Sequence, residues 1–499
     1  MSRVGPVTRV AVVGMGATGV LTYVHLVDHL LTAGVGAGTE IHLVERSSQV
    51  GAGVAYGTQS DDHLLNMQAG TMSVFPDRPN DFVDWLGGKR DAAAYIPRHR
   101  FGEYLRARLS EAMSRADAAG ISTEVVRCEV RDCYFDDNEV RLVATAPLPP
   151  YDYAVLCVGD LPPTTYQELR PHPRYVHDPW RAGAAMPPVG ARVGVLGSSL
   201  TAVDVLLSLR SSGHEGPVTC FTRSRGLPRV QPAVLRPHRL RHVTEENLLR
   251  LTDDAGRKLG LAEVAGLLRS ELGSLVDWRR ATGPRQGDPI ALLRSDIDDA
   301  VHGRAGWYDV LDSTSELTPL VWHHMTDAAK TAFLRRLHSG WSGWRHPIPL
   351  VNARRIADLA ERGQLRVRPR VRSVAPNADG GFDIAHQVGD RVGTTTVDHL
   401  VNATGTGFNP WLVDSPLVRA MTHAGRLRAH PLGGVDVDFA TLRVRDAAGG
   451  LAARVFFVGP LTRGVHFYTN SVETNLVNAR ALTGQLAAAM TKRVPALSA

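Results

Sequence analysis

An α/β architecture with two Rossmann-like dinucleotide-binding domains and a largely helical insertion follows from three features of the chain. A β-branched run, Thr8–Val13, ends in Gly14-Met15-Gly16-Ala17-Thr18-Gly19 and continues into an apolar-patterned segment through Leu31. The order of short strand, tight turn and helix recurs at Arg192–Leu196, Gly197-Ser198-Ser199-Leu200-Thr201-Ala202 and Val203–Leu209. Between Arg229 and Arg345 this pattern lapses into arginine- and histidine-rich sequence with helical leucine spacing.

At 499 residues the chain exceeds one compact core, so two or three structural units are expected. A hydrophobic fraction of 43% with 21% charged residues fits a globular enzyme and lies outside the disordered range. Apolar runs are short and interrupted by glycine, charge or proline, which argues against a membrane span. The first of them is broken by Gly14–Gly19, unlike an export signal, so the cytoplasm is the expected compartment. Cys128, Cys133, Cys157 and Cys220 form no CxxC pair, which supports neither a flavin-disulfide reductase nor a metal centre. The formal charge of +6 suits anionic cofactors or a carboxylated substrate, and no basic-aromatic module points to nucleic acid.

In the first glycine motif Gly14 permits the turn, Gly16 lets the backbone approach a pyrophosphate, and Gly19 permits close helix packing. Ala17 and Thr18 open the helix, whose free amides and dipole favour phosphate. The next strand, Glu40–Glu45, ends in an acid suited to accept two ribose hydroxyls, with Arg46 beside it.

The second motif replaces two of the usual glycines. Gly197 remains, while Ser198, Ser199, Leu200 and Thr201 offer small side chains, hydroxyls or amides around a phosphate. Its second strand, Val218–Thr222, ends without an acid and runs into Arg223-Ser224-Arg225-Gly226. Guanidinium groups of Arg223 and Arg225 in that place would neutralise a 2′-phosphate, favouring NADPH over NADH.

Downstream of the first unit come Gly51-Ala52-Gly53-Val54-Ala55-Tyr56-Gly57, Leu64-Leu65-Asn66-Met67-Gln68 and Ser73-Val74-Phe75-Pro76. With the glycine motifs, these segments resemble the FAD/NAD(P)-binding flavoprotein oxidoreductases, a group related to N-hydroxylating and Baeyer-Villiger flavin monooxygenases. The resemblance implies that Asn66 and Gln68 face the flavin or substrate; hydrogen bonding within a turn is their other role. Pro97–Leu105 is similar to a helix start in which Arg100 touches cofactor phosphate or pairs with local acids. Asp398–Pro410, containing Asn402-Ala403-Thr404-Gly405, resembles the Ala-Thr-Gly-aromatic signature of N-hydroxylating flavoproteins, with Thr406 at the aromatic position. Val455–Pro460 resembles the last FAD-domain strand, where Gly459 and Pro460 replace a common Gly-Asp pair. Glu473 and Thr474 precede a helix whose N-terminal amides would stabilise a reduced flavin.

Residues 1–165 and 395–499 are therefore expected to form a split FAD domain. Residues 190–394 are expected to form the NAD(P) domain, with the insertion at about 230–345. The insertion's helical segments, including 261–268 and 329–337, would shield the reactive centre or make a homo-oligomer surface. Its Trp322-His323-His324, Trp341 and Trp344-Arg345-His346 read as packing, since paired histidines without an acid at motif spacing do not make a metal site. The function implied is NADPH-dependent FAD monooxygenation, with N-hydroxylation of a small polar amine or amino acid through a flavin C4a-oxygen adduct and molecular oxygen as co-substrate. A nonoxygenating NAD(P)H-dependent flavin oxidoreductase, an amine-oxidising flavoenzyme and a noncatalytic nucleotide-binding scaffold are the alternatives.

Overall fold

Apolar strand runs followed by helices give this chain one mostly parallel and one fully parallel sheet, seen in a computed structural model. The structure describes residues 7–88, 92–181, 184, 186–223, 226–252, 256–278 and 287–492. Contacts divide the chain into two units. One contains residues 1–61, 67–161 and 407–499, and the other contains 62–66 and 162–406.

The first unit holds a six-stranded sheet in the order Arg443–Arg445, Leu451–Phe457, Tyr153–Leu156, Thr8–Val13, Thr39–Glu45, Ile121–Arg127. Every neighbouring pair is parallel except the first. Its central strands are apolar at consecutive positions because both faces are covered. Helices Ala17–Thr32, Arg98–Ala118 and Val472–Thr491 pack together. Ala11, Val13, Leu156, Val455 and Phe457 pack into a core with the hairpin Val130–Ala144 and helix Pro416–His423.

The second unit is built on a fully parallel five-stranded sheet, ordered Leu365–Pro369, Val218–Thr222, Val193–Leu196, His399–Asn402, Tyr175–Val176. Helices Leu200–Ser211 and Leu350–Glu361 pack on Val193, Val195, Cys220 and Val367. Leu196, Phe221 and Leu400 instead meet the antiparallel meander Val371–Val397. The insertion is helical over Glu245–Thr252, Leu261–Leu272, Pro289–Val301, Trp307–Ser313, Thr318–His324, Asp327–Ala332 and His338–Arg345. Trp307, Tyr308 and Leu311 form part of its own apolar cluster, joined by Trp341 and Trp344. No helix among the described residues is long and apolar enough to cross a membrane.

Three segments depart from the expected boundaries, the shortest being residues 162–165, which were expected with the FAD domain and lie in the second unit. Residues 395–406, expected with the FAD domain, lie in the second unit because His399–Asn402 pairs in register with Val193–Leu196. Residues 62–66 also join that unit, although both flanks belong to the first. Polar ties explain it: His63 Nε2 lies 2.7 Å from Ser208 Oγ, Asp62 pairs with Arg355 at 3.1 Å, and Gln231 Nε2 donates to the Asn66 carbonyl at 2.8 Å.

Candidate dinucleotide sites

The two glycine turns repeat one set of contacts. The Gly14 amide donates to Val44 O at 2.8 Å, and the Gly197 amide donates to Phe221 O at 2.8 Å. Across the sheet, Cys157 N donates to Val13 O at 2.7 Å and Ala403 N to Leu196 O at 2.8 Å. Both leading glycines have positive φ, +93° and +119°, and a Cβ on either would fall 2.5 Å from Cys157 O or 2.3 Å from Ala403 O. Glycine is required at both turns for conformation and for space.

Each turn opens a helix whose N-terminal amides are left free by the side chain before it. Gly16 and Ser199 are the N-cap residues, extended at φ −76° and −87°, and neither makes a side-chain cap. A Cβ on Gly19 would lie 2.0 Å from Gly14 O, so helix and turn are in direct contact there. Open amides beside a side-chain-free approach make a cradle for a pyrophosphate, and the residues around Gly14–Gly19 fit one. At the second turn Ala202, fully buried, takes the place of Gly19. The Ser198 hydroxyl, expected to face phosphate, donates instead to Gly226 O at 2.6 Å, tying the turn to the loop after Val218–Thr222.

Glu45 receives the Met15 amide at 2.7 Å and the Ser47 amide at 2.8 Å, one on each carboxylate oxygen. That holds the carboxylate beside the glycine turn with lone pairs remaining for ribose hydroxyls. In the second unit the repeated contacts align Thr222 with Glu45 and place exposed Arg223 one residue beyond. Arg225 lies outside the described residues.

At the first turn, Gly459 comes close: its Cβ position lies 3.1 Å from Val158 O and 3.8 Å from Thr18. Pro460 is buried, and its carbonyl accepts the Thr469 hydroxyl at 2.7 Å. Thr469 O in turn accepts the Asn475 amide at 2.9 Å, in the first turns of helix Val472–Thr491. Gly459, Pro460, Glu473 and Thr474 are thereby brought to the same sheet end as Gly14–Gly19. Ser471 caps this helix by accepting the Thr474 amide at 3.4 Å, so that amide is not free for a ligand. Burial raises the Tyr56 phenol above its usual range, opposed by the Arg98 cation and reinforced by the Asp160 and Glu473 carboxylates. This charged group around Tyr56 was not singled out in the sequence, because its members lie far apart in the chain.

The Thr404-Gly405 turn depends on Asn402, which opens the motif segment. Asn402 is fully buried; its amide donates to Thr165 O at 3.1 Å and Tyr175 Oη at 3.0 Å. Its carbonyl oxygen accepts the Thr404 amide at 3.1 Å and the Thr404 hydroxyl at 2.7 Å. Gly405 follows with φ +91°. The clasp fixes the turn after the strand that adjoins Gly197.

Other expected residues fall elsewhere. Asn66 belongs to the second unit and Gln68 to the first. Both are half-buried, and their turn contacts run through the backbone carbonyls. Arg46 pairs with Glu129 at 3.5 Å, and Arg100 pairs with Glu103 while facing the Trp85 ring. In the insertion Trp344 packs edge-on against Trp307 at 4.7 Å, with Arg229 over its ring at 3.5 Å. The grouping of metal-ligand type among the described residues is Glu40, His42 and Glu124, where Arg9 already engages Glu40 at 2.7 Å. All four cysteines are buried free thiols, and burial pushes Cys133, Cys157 and Cys220 up to about 12.

Residues 11–161 match the family model described as FAD-NAD(P)-binding. Solved structures share the chain's fold over nearly all of this sequence. Ornithine hydroxylase from Pseudomonas aeruginosa is similar at TM-score 0.59 and 13% identity, over 97% of this chain and 100% of that one. L-lysine 6-monooxygenase from Pseudomonas syringae gives 0.59 and 16%, over 98% and 100%. Bacillithiol disulfide reductase from Staphylococcus aureus gives 0.51 and 10%, over 97% and 99%. No curated protein matches the chain in sequence.

Proposed function

We propose that this chain is an NADPH-dependent FAD monooxygenase that N-hydroxylates a small polar amine or amino acid. One observation carries the reading: the glycine turn, its cross-strand contacts and its open helix start occur twice, with Glu45 beside one copy and Arg223 beside the other. The fold shared with an ornithine hydroxylase and a lysine monooxygenase supports amine oxygenation over other uses of two dinucleotides.

Bound FAD would supply hydride acceptance and oxygen activation. The chain's part is to hold and orient. Ala17 and Thr18 amides would receive the FAD pyrophosphate, and Glu45 its ribose hydroxyls. Gly459 and Pro460 would border the flavin end, where helix Val472–Thr491 directs its positive dipole from Glu473 and Thr474. Gly197, Ser199, Leu200 and Thr201 would receive the NADPH pyrophosphate, with Thr404 and Gly405 beside it and Arg223 and Arg225 at the 2′-phosphate. Asn66 and Gln68 carry amides suited to orient a flavin edge or a polar substrate.

A nonoxygenating NAD(P)H-dependent flavin oxidoreductase is the second reading, favoured by the fold shared with a disulfide reductase. Four buried cysteines argue against dithiol exchange in this chain. FAD-loaded protein should bleach faster with NADPH than NADH under anaerobic conditions, and then convert a member of a polar-amine panel to a product 16 mass units heavier in air. Full turnover without oxygen, using an artificial electron acceptor and giving an unoxygenated product, would select the second reading.

A further inference from the structure

Arg223 has a neighbour at the same end of the second sheet. Leu365–Pro369 runs parallel to Val218–Thr222 with Pro369 opposite Thr222. The residues that follow are Arg370 and Arg223, both exposed. Adjacent strands are spaced about 4.8 Å apart, so two guanidinium groups are rooted side by side where the strands end. Among the described residues neither side chain is engaged in an ion pair.

The backbone at Arg370 gives a second, independent observation. Its φ is +56°, in the left-handed region that favours glycine. There the chain leaves the parallel sheet and turns into strand Val371–Pro376, and Arg370 O accepts the Gln387 amide at 3.3 Å. Glycine would make this corner without the Cβ penalty. Arginine therefore holds this corner at a conformational cost that glycine would avoid.

We infer that Arg370, with Arg223, binds the 2′-phosphate at the adenosine end of NADPH. A phosphomonoester carries close to two negative charges and several acceptor oxygens, which two forked guanidinium groups match. The inference rests on the NADPH reading above and adds a residue that discriminates NADPH from NADH.

The test uses calorimetric titration of the FAD-loaded full chain with NADP⁺, NAD⁺, 2′,5′-ADP and 5′-AMP. R370G removes the charge and relieves the strain, so its melting temperature should match or exceed that of the parent. Its affinity for NADP⁺ and 2′,5′-ADP should fall about tenfold or more, with NAD⁺ and 5′-AMP unchanged. R370N, which also tolerates left-handed backbone, should lose the same selectivity, and R370K should retain part of it. A parent chain that prefers NADP⁺, with R370G and R370N keeping that preference, would overturn the role of Arg370 alone. A parent chain with no preference between 2′,5′-ADP and 5′-AMP would overturn both this inference and the NADPH reading.

Discussion

Substituting Gly16 and Gly19 by alanine separates cofactor binding from folding at the first turn. Gly16 has φ −76°, open to any L-residue, and an added Cβ would meet Gly53 Cα at 3.4 Å, an ordinary contact. G16A should change the stability of the cofactor-free chain by less than about 1 kcal/mol. Gly19 differs, because its Cβ would fall 2.0 Å from Gly14 O and 3.0 Å from the same carbonyl carbon. That obstacle is backbone and cannot rotate away, so G19A should cost about 1–3 kcal/mol or more through forced separation of helix and turn. If the pyrophosphate sits on the Gly16 backbone, the G16A methyl occupies its approach and FAD affinity should fall about 10- to 100-fold, at 1.4 kcal/mol per tenfold. Thermal unfolding of the cofactor-free proteins and FAD titration by flavin fluorescence read the two effects apart. A folded G16A protein that binds FAD within about twofold of the parent would refute the cradle, since one tenfold is the least expected.

Three further outcomes follow from the geometry. N402A leaves Thr165 O, Tyr175 Oη and the Thr404 amide without their buried partner, and denaturant unfolding should register a loss of about 2–3 kcal/mol; unchanged stability would contradict the clasp. Glu271 is buried, which raises its carboxyl, but His238 and the amides of Val243, His242 and Arg241 prevail and draw it from 4.5 down to about 2. Its contribution is present above pH 4.5 and is lost as pH falls toward 2, on the order of 3 kcal/mol. E271Q should therefore flatten the acid limb of the stability profile, and superimposable limbs would count against it. The four buried thiols should resist a thiol-reactive dye in the native chain and all react after unfolding; rapid native labelling of any one would show an accessible thiol and reopen dithiol chemistry.

Much of this architecture was legible because the leading strands Thr8–Val13 and Val193–Leu196 are short apolar runs, each followed by a glycine turn and a helix. The first turn was the more readable one: Gly14 takes positive φ, a Cβ on Gly19 would strike the Gly14 carbonyl, and Glu45 accepts the Met15 amide. The second was less so, since Ser198 spends its hydroxyl on Gly226 O, a residue 28 positions away. Long-range partners account for the other differences. Arg100, read as a phosphate contact or a partner for local acids, pairs with Glu103, and Arg46 pairs with Glu129. The Asn402 clasp joins residues more than 200 positions apart, and no local pattern announces it. Residues 62–66 changed units through His63, Asp62 and the Asn66 carbonyl, contacts invisible to periodicity.

The central claim is oxygen transfer to an amine, and isotopic oxygen tests it most directly. Purified FAD-loaded protein should be turned over with NADPH and a polar-amine panel under ¹⁸O₂, with product mass and NADPH consumption measured together. One amine should yield a hydroxylated product carrying one ¹⁸O atom for each NADPH consumed. NADPH oxidation recovered wholly as hydrogen peroxide across the panel, or product free of the isotope, would contradict the account.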